Sequence, residues 1–208
     1  MSDATYKCGS RDYLGRARIL MEQNVPESLF YAAFELRCGI EGRLQECLQA
    51  QQHISKRKKE GWRIAELGRN LKHAFDDGDQ VVEIRITDKN SGESAVCYYT
   101  PVKTSLKKKG QQLGNYLHAL KEYKPSEDKW WRDFGELLKA TYEELKFATA
   151  GTLCGPPLLN PHGGTQLNHE LGYDKANDEK IIRLGAEGQV IQMSVNYFKS
   201  LTANERQS

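Results

Sequence analysis

The sequence lacks cysteine pairs of the kind that hold a metal ion or form a redox disulfide. Its five cysteines are scattered over 208 residues, and no C-x-x-C motif occurs. A zinc ribbon needs two thiolates about two to four residues apart, so that class of site is excluded. The odd number of cysteines and the expected absence of a secretory leader predict free thiols and a cytoplasmic location.

Long hydrophobic runs and strong catalytic motifs are also missing. The longest apolar runs span only a few residues, whereas a transmembrane helix needs about 20, so no membrane contact is expected. The chain has no G-x-x-x-x-G-K-S/T, no H-E-x-x-H and no G-x-S-x-G motif. We therefore expect neither a metal nor a cofactor, and the sequence says more about the fold than about the function.

Neither sign of charge dominates the chain. Thirty lysines and arginines stand against 28 aspartates and glutamates, which leaves a net charge of +2. Hydrophobic residues make up 38% of the sequence and charged residues 28%, a balance typical of a soluble globular domain. Any affinity for nucleic acid must therefore come from local clusters of basic residues.

What the sequence does contain is helical periodicity. The clearest example runs from about Pro26 to His53, where apolar residues recur three and four positions apart. This apolar stripe is too wide for one neighbour, which predicts the central helix of a bundle. Further helices are predicted over residues 11–23, 55–75, 105–123 and 130–150.

Two segments have the alternation of β-strands. Residues 81–102 contain two β-rich runs around the turn D-K-N-S-G-E and predict a hairpin inserted between helices. Residues 180–198 surround an A-E-G turn and predict a second, C-terminal hairpin, after a loop over 151–178. The fold class is therefore mainly α, a bundle of about five helices with these two hairpins. We divide the chain into a bundle over 1–150 and a loop-rich extension over 151–208.

Two clusters of basic residues are candidates for binding nucleic acid. Each opens a predicted helix, where positive charge opposes the helix dipole, so the charges are better suited to a phosphate backbone than to capping. The alternative is an ordinary solvated face. A straight helix over 55–75 would hold the two clusters about 30 Å apart. The clusters are Lys56, Arg57, Lys58, Lys59 and Arg63, and Lys107, Lys108 and Lys109.

A pair of opposite charges interrupts the apolar stripe of the central helix. Arg37 and Glu41 are four residues apart, so their side chains share one face of the helix. We interpret them as a partly buried ion pair that fixes helix register or a dimer contact. A polar site between helices and an exposed pair are the alternatives.

Several segments of this chain together resemble one family. They are F-Y-A-A-F-E-L-R-C-G-I-E-G-R-L, K-K-E-G-W-R-I-A-E-L-G-R-N-L, the inserted hairpin and Q-Q-L-G-N-Y-L-H. Over about residues 26–150 the chain resembles the HEPN-like helical proteins of prokaryotic defence and toxin loci. The resemblance implies a four- or five-helix bundle that forms a homodimer. Many members are metal-independent endoribonucleases whose Arg and His are separated by four to six residues.

The resemblance directs attention to three candidate catalytic residues. Arg69 and His73 are separated by only three residues, and His118 has no arginine at the family's distance upstream. We therefore favour a dimeric binding or regulatory module of a bacterial defence or stress system, which contacts RNA, DNA or a partner protein. The alternative is a metal-independent endoribonuclease that uses His73 or His118 with a nearby cation. A third possibility is a protein that binds other proteins only.

A weak metal site in the C-terminal region is a further possibility. His162 and His169 are seven residues apart, and Asp174 and Asp178 follow them. No regular element is predicted to make these side chains converge, so we interpret the segment as a solvent-exposed loop.

Overall fold

The computed structural model describes residues 6–52, 54–61, 63–74, 79–118, 122, 124–125, 127–156, 158–159, 165–186 and 190–199. The chain is mainly helical, as predicted, and it contains a small three-stranded antiparallel sheet. None of the described helices is long and apolar enough to cross a membrane. In chain order the elements are α1 Ser10–Gln23, α2 Pro26–Gln49, α3 Lys56–Lys59, α4 Ile64–Ala74, β1 Val81–Asp88, β2 Ser94–Tyr99, α5 Thr104–Tyr116, α6 Lys129–Ala148, β3 Leu158–Leu159, β4 Thr165–Gln166, α7 Lys175–Leu184 and β5 Ile191–Phe198.

Helix α2 is the centre of the bundle. It packs against α1, α4, α5 and α6 of the same chain. Leu36, Ile40 and Leu44, which lie along its apolar stripe, are completely buried. Because four helices share the stripe, its width is explained within one chain and does not require a dimer.

The predicted helix over 55–75 is wrong as a single element. It is divided into the short α3 and the longer α4, and Gly61 between them has a φ of +122°. Glycine adopts this backbone conformation readily and other residues rarely do. The chain reverses there, and the Asn70 side chain of α4 donates a hydrogen bond to the Lys58 carbonyl of α3 at 2.9 Å. Helix α3 therefore packs back alongside α4.

The inserted hairpin is present, and a third strand joins it. Strands β1 and β2 pair antiparallel with Ile84 opposite Cys97, and β5 pairs antiparallel on the other side of β1 with Val195 opposite Ile84. The strand order is β2-β1-β5.

The predicted C-terminal hairpin over 180–198 is wrong. Its first half belongs to α7, and only its second half is a strand, β5, whose partner is β1. The local reason is a helix start: the Asp174 side chain accepts a hydrogen bond from the Asn177 backbone at 3.0 Å. Ile181 and Leu184 then follow at helical spacing and pack against the core.

The segment predicted as a loop over 151–178 is partly structured. Leu153 forms β-bridges with both Tyr99 and His169, and the short strands β3 and β4 pair with each other. Residues 160–164 of this segment lie outside the described residues. The C-terminal part therefore packs on the bundle through the edge of the sheet.

Candidate nucleic-acid interface

The two predicted basic clusters lie on either side of α4. On one side, the Lys107 side chain of α5 crosses Gly68, where an added Cβ would lie 2.5 Å from the Lys107 Cδ. On the other side, the Asn70 side chain donates a hydrogen bond to the backbone carbonyl of Lys58 in α3. Residues 68 and 70 point in nearly opposite directions from the helix axis, because each residue turns the helix by about 100°. The predicted separation of about 30 Å is therefore wrong, since one helix diameter of about 10 Å lies between the clusters.

The outward side of α4 is also basic. Arg69 and Lys72 are three residues apart and exposed, while Leu67 and Leu71 on the opposite side are buried. Glu66 is the acidic residue on this exposed part of α4. We call the cations that α3, α4 and α5 contribute the basic face. It consists of Lys56, Arg57, Lys58, Arg69, Lys72, Lys107 and Lys108.

Two of the predicted cations are engaged elsewhere. The Lys109 ammonium pairs with the Glu144 carboxylate of α6 at 2.6 Å, and both side chains are more than two-thirds buried. The Lys59 ammonium donates to the Gln49 carbonyl at 3.1 Å. Both ammonium groups therefore have a partner within the chain, and we do not count them in the basic face. Arg63 is exposed between α3 and α4.

A pocket of about 170 Å³ opens beside α4 and α5. Its lining includes Lys72, Lys107, Asp79 and Thr104. Burial lowers the pKa of Lys107, and the nearby Lys72 lowers it further, while Asp79 raises it. Asp79 also accepts a hydrogen bond from the Thr104 backbone at the start of α5, at 3.4 Å. An anion in this pocket would offset the repulsion between the two ammonium groups.

The structure does not bring the three candidate catalytic residues together. Arg69 is exposed on α4 and His118 is exposed beyond the end of α5, while the His73 side chain lies outside the described residues. Contacts of Gly68 with Lys107 and of Gly110 with Ile64 show that α4 and α5 are antiparallel. His118 therefore lies about 16 Å beyond Lys107 in the direction away from His73, at about 1.5 Å per residue.

Arg37 and Glu41 form an ion pair within one chain. The Arg37 Nε lies 3.1 Å from the Glu41 Oε1, and the side chains are 24% and 20% exposed. The Arg37 guanidinium also packs on Gly114 of α5. Burial raises the pKa of Glu41, although the Arg37 charge opposes this shift. The pair therefore joins α2 to α5 and is not open enough to form part of the basic face.

Arg43 of α2, which is fully buried, was not among the site residues that the sequence predicted. Its guanidinium is fully buried and lies 3.2 Å from both the Glu46 and the Glu170 carboxylates. It also donates to the Ala148 carbonyl at 3.0 Å and to the Leu153 carbonyl at 3.1 Å. The available signal was its position, because Arg43 lies between Ile40 and Cys47 at the spacing of the apolar stripe.

Two buried thiols lie beside Arg43. Cys154 donates to the Glu170 carboxylate at 2.9 Å and interacts with Cys47. This interaction with Cys154 lowers the pKa of Cys47, and the Arg43 charge adds to the effect, while burial opposes it. For Arg43 itself, burial alone would lower the pKa, but the neighbouring thiols and carboxylates raise it. Cys47 and Cys154 are 0% and 5% exposed, so this polar centre is internal and ties α2 to the C-terminal part.

A buried contact between a histidine and an aspartate corrects the prediction for the C-terminal loop. His169 Nε2 lies 2.8 Å from the Asp178 carboxylate, and the side chains are 8% and 9% exposed. These two residues are therefore not solvent-exposed. His162 lies outside the described residues. Among those that are described, no group of three or more histidine, cysteine, aspartate or glutamate side chains could hold a metal ion.

We predict that Asp178 contributes to acid sensitivity. Hydrogen bonds from His169 and from the Gly172 backbone lower the pKa of Asp178 below its ordinary value of 3.8. The stabilisation is therefore present above pH 3.8 and is lost as the pH falls through the lower folded-state pKa. Urea unfolding between pH 6 and pH 2 should show that the stability advantage of wild type over Asp178→Asn shrinks with acid. The exposed Asp133→Asn control should show no such trend, and a constant advantage would contradict the prediction.

No protein-family model, no curated protein and no solved structure matches this chain.

Proposed function

We propose that this protein is a HEPN-like, cytoplasmic binding module of a bacterial defence or stress system, and that its basic face holds the phosphate backbone of RNA or DNA. One observation carries the proposal: the reversal at Gly61 brings the Lys58 cluster back to α4, opposite the Lys107 cluster. Cations that are distant in sequence thereby become neighbours. Adjacent helices pack about 8–10 Å apart, so three of them present charge across about 20 Å. That width suits several phosphates of one backbone.

The lack of internal partners supports a role for these cations in binding. In the described part of the chain, Lys58, Arg69 and Lys108 form no ion pair, in contrast with Lys109 and its Glu144 partner. Unpaired like charges repel one another, and a polyanion relieves this repulsion while releasing its counterions. The pocket beside Lys72 and Lys107 would then anchor one phosphate.

The test reverses three charges, one from each helix, in the variant Lys58→Glu/Lys72→Glu/Lys108→Glu. Each neutralised phosphate contact contributes about 0.7 to 0.9 to the salt slope of binding, so the slope should fall by about 2 to 3. At about 50 mM salt the affinity should fall at least tenfold. Fluorescence anisotropy with labelled single-stranded RNA, single-stranded DNA and duplex DNA measures both quantities and separates these ligands.

The control variant Lys139→Glu/Lys146→Glu/Lys175→Glu makes the same change in net charge with exposed lysines of α6 and α7. It should change the affinity less than twofold. Equal weakening by both triple variants would show that only net charge matters. Wild-type protein that binds none of the three nucleic acids at about 50 mM salt would refute the proposal. Capture of a protein partner that is insensitive to salt would favour the protein-binding alternative instead.

An endoribonuclease is the second candidate. It is supported by the positions of Arg69 and His73, four residues apart on α4, beside Lys72 of the basic face. Because His118 lies at the other end of the α4–α5 pair, we expect the two single variants to differ. His73→Ala should abolish cleavage, and His118→Ala should leave it intact. Incubation of mixed RNA in EDTA with each variant tests this. Cleavage that depends on His118 and not on His73 would contradict this assignment.

A further inference from the structure

The two edges of the three-stranded sheet differ in how their backbone groups are satisfied. At the β2 edge, the Asn177 side chain of α7 accepts from the Val96 N–H at 3.4 Å and donates to the Val96 carbonyl at 2.8 Å. The Leu153 N–H donates to the Tyr98 carbonyl at 2.9 Å. The chain itself therefore covers both outward backbone groups of Val96 and the outward carbonyl of Tyr98.

Strand β5 forms the other edge, and its outward backbone groups can be identified. The Lys89 N–H donates to the Val190 carbonyl at 2.9 Å, which fixes the hydrogen-bonded pairs along β1 and β5. Because these pairs alternate along the strand, Gln192, Ser194 and Asn196 direct their N–H and C=O groups towards β1. The outward N–H and C=O groups belong to the residues between them. These are Ile191, Met193, Val195 and Tyr197.

None of these outward groups has a hydrogen-bond partner among the residues that the structure describes. The strand I-Q-M-S-V-N-Y-F also has no charged residue and no proline, the two features that usually prevent pairing at an edge. Its Ile191 and Tyr197 side chains are 42% and 54% exposed. They lie on the same face as Val195, which is opposite the buried Ile84 of β1. Within the described part of the chain, nothing covers this strand edge, and one face of the strand is apolar.

We propose that β5 pairs antiparallel with β5 of a second copy of this chain, about a two-fold axis centred on Ser194. Two sheets of order β2-β1-β5 would then join into one continuous six-stranded sheet. The interface is made by β5 and is independent of the basic face, so it goes beyond the proposed function.

Self-complementarity of the strand identifies a second copy as the occupant. With Ser194 at the centre, Ile191 is opposite Tyr197 and Met193 is opposite Val195, so apolar side chains meet on the inner face. On the outer face, Gln192 is opposite Asn196 and the two Ser194 residues face each other. No charges meet, and each outward N–H and C=O of these four apolar residues finds a partner.

The first test places a carboxylate at the centre of this interface. In Ser194→Glu the new side chain stays compatible with its own sheet, because residue 194 is opposite Arg85 of β1. In the dimer the two introduced carboxylates would face each other and repel. Sedimentation without nucleic acid should show wild type at about twice 23.7 kDa and Ser194→Glu as a monomer, with association at least tenfold weaker. Ser94→Glu, a matched change on β2, should remain a dimer.

The second test measures the register. Residue 194 would oppose itself as a non-hydrogen-bonded pair with a Cα separation of about 4.5 Å, which suits a disulfide. Ser194→Cys, in a background where the exposed Cys8 is serine, should therefore cross-link with oxidised glutathione, whose disulfide is reduced as the two thiols are oxidised. Gln192→Cys should cross-link at least tenfold less. A monomeric wild type at about 100 µM, a dimer unaffected by Ser194→Glu, or equal cross-linking at both positions would overturn the proposal.

Discussion

Replacement of Arg43 with methionine is expected to lower the free energy of unfolding by about 3–5 kcal/mol. The guanidinium is fully buried and joins the Glu46 and Glu170 carboxylates to the carbonyls of Ala148 and Leu153. Methionine fills much of the space but removes the positive charge that faces the Glu46 and Glu170 carboxylates. It also leaves the buried Leu153 carbonyl without the donor that Arg43 supplies, and an unsatisfied buried group costs its desolvation penalty. Urea unfolding followed by circular dichroism measures the loss.

Two variants separate burial from charge in this test. Arg18 pairs with Glu22 on the surface with both side chains at least 60% exposed, so Arg18→Met should cost less than about 0.5 kcal/mol. Arg43→Lys keeps the positive charge but lacks the planar guanidinium that reaches several carbonyls at once. Its free energy of unfolding should therefore fall by most of the amount expected for Arg43→Met. A loss below about 1 kcal/mol for Arg43→Met would show that the polar centre does not hold the C-terminal part to α2.

The elements that the sequence predicted correctly are those with strong local patterns. Helix α2 has a long apolar periodicity, and the β1–β2 hairpin has two alternating runs around a turn-forming segment. Prediction from the local sequence pattern failed where the pattern fits two different structures. Residues 180–184 have apolar side chains at positions that suit either a short strand or a helix, and the Asp174 cap and packing on the sheet select the helix.

The candidate site could be predicted less completely than the fold, because the positions of its residues depend on tertiary structure. The sequence identified the basic clusters, but their mutual distance depends on Gly61, whose φ cannot be read from composition. The ion pair of Lys109 depends on Glu144, which lies 35 residues away on α6. Arg43 has its partner Glu170 still further along the chain, so only the fold shows that its charge is compensated.

Gly151 occupies a position where the chain has no room for a side chain, and its replacement with alanine should be strongly destabilising. An added Cβ would collide with the Tyr98 carbonyl and would lie 2.9 Å from the Thr100 backbone nitrogen. Both are backbone atoms at the end of β2, so relief requires movement of the chain and not of a flexible side chain. The Gly151 carbonyl also accepts from Arg11 at 2.7 Å and from Arg43 at 3.3 Å.

We expect Gly151→Ala to lower the free energy of unfolding by about 3 kcal/mol, at the upper end of the usual cost of overpacking, because backbone and two arginine contacts shift together. The matched control is Gly135→Ala in α6, where an added Cβ meets no atom within 4 Å. Alanine favours a helix over glycine by up to about 1 kcal/mol, so this control should gain stability. Denaturant unfolding of both variants under the same conditions gives the comparison. If Gly151→Ala were as stable as wild type, the close packing of residue 151 against the end of β2 would be refuted.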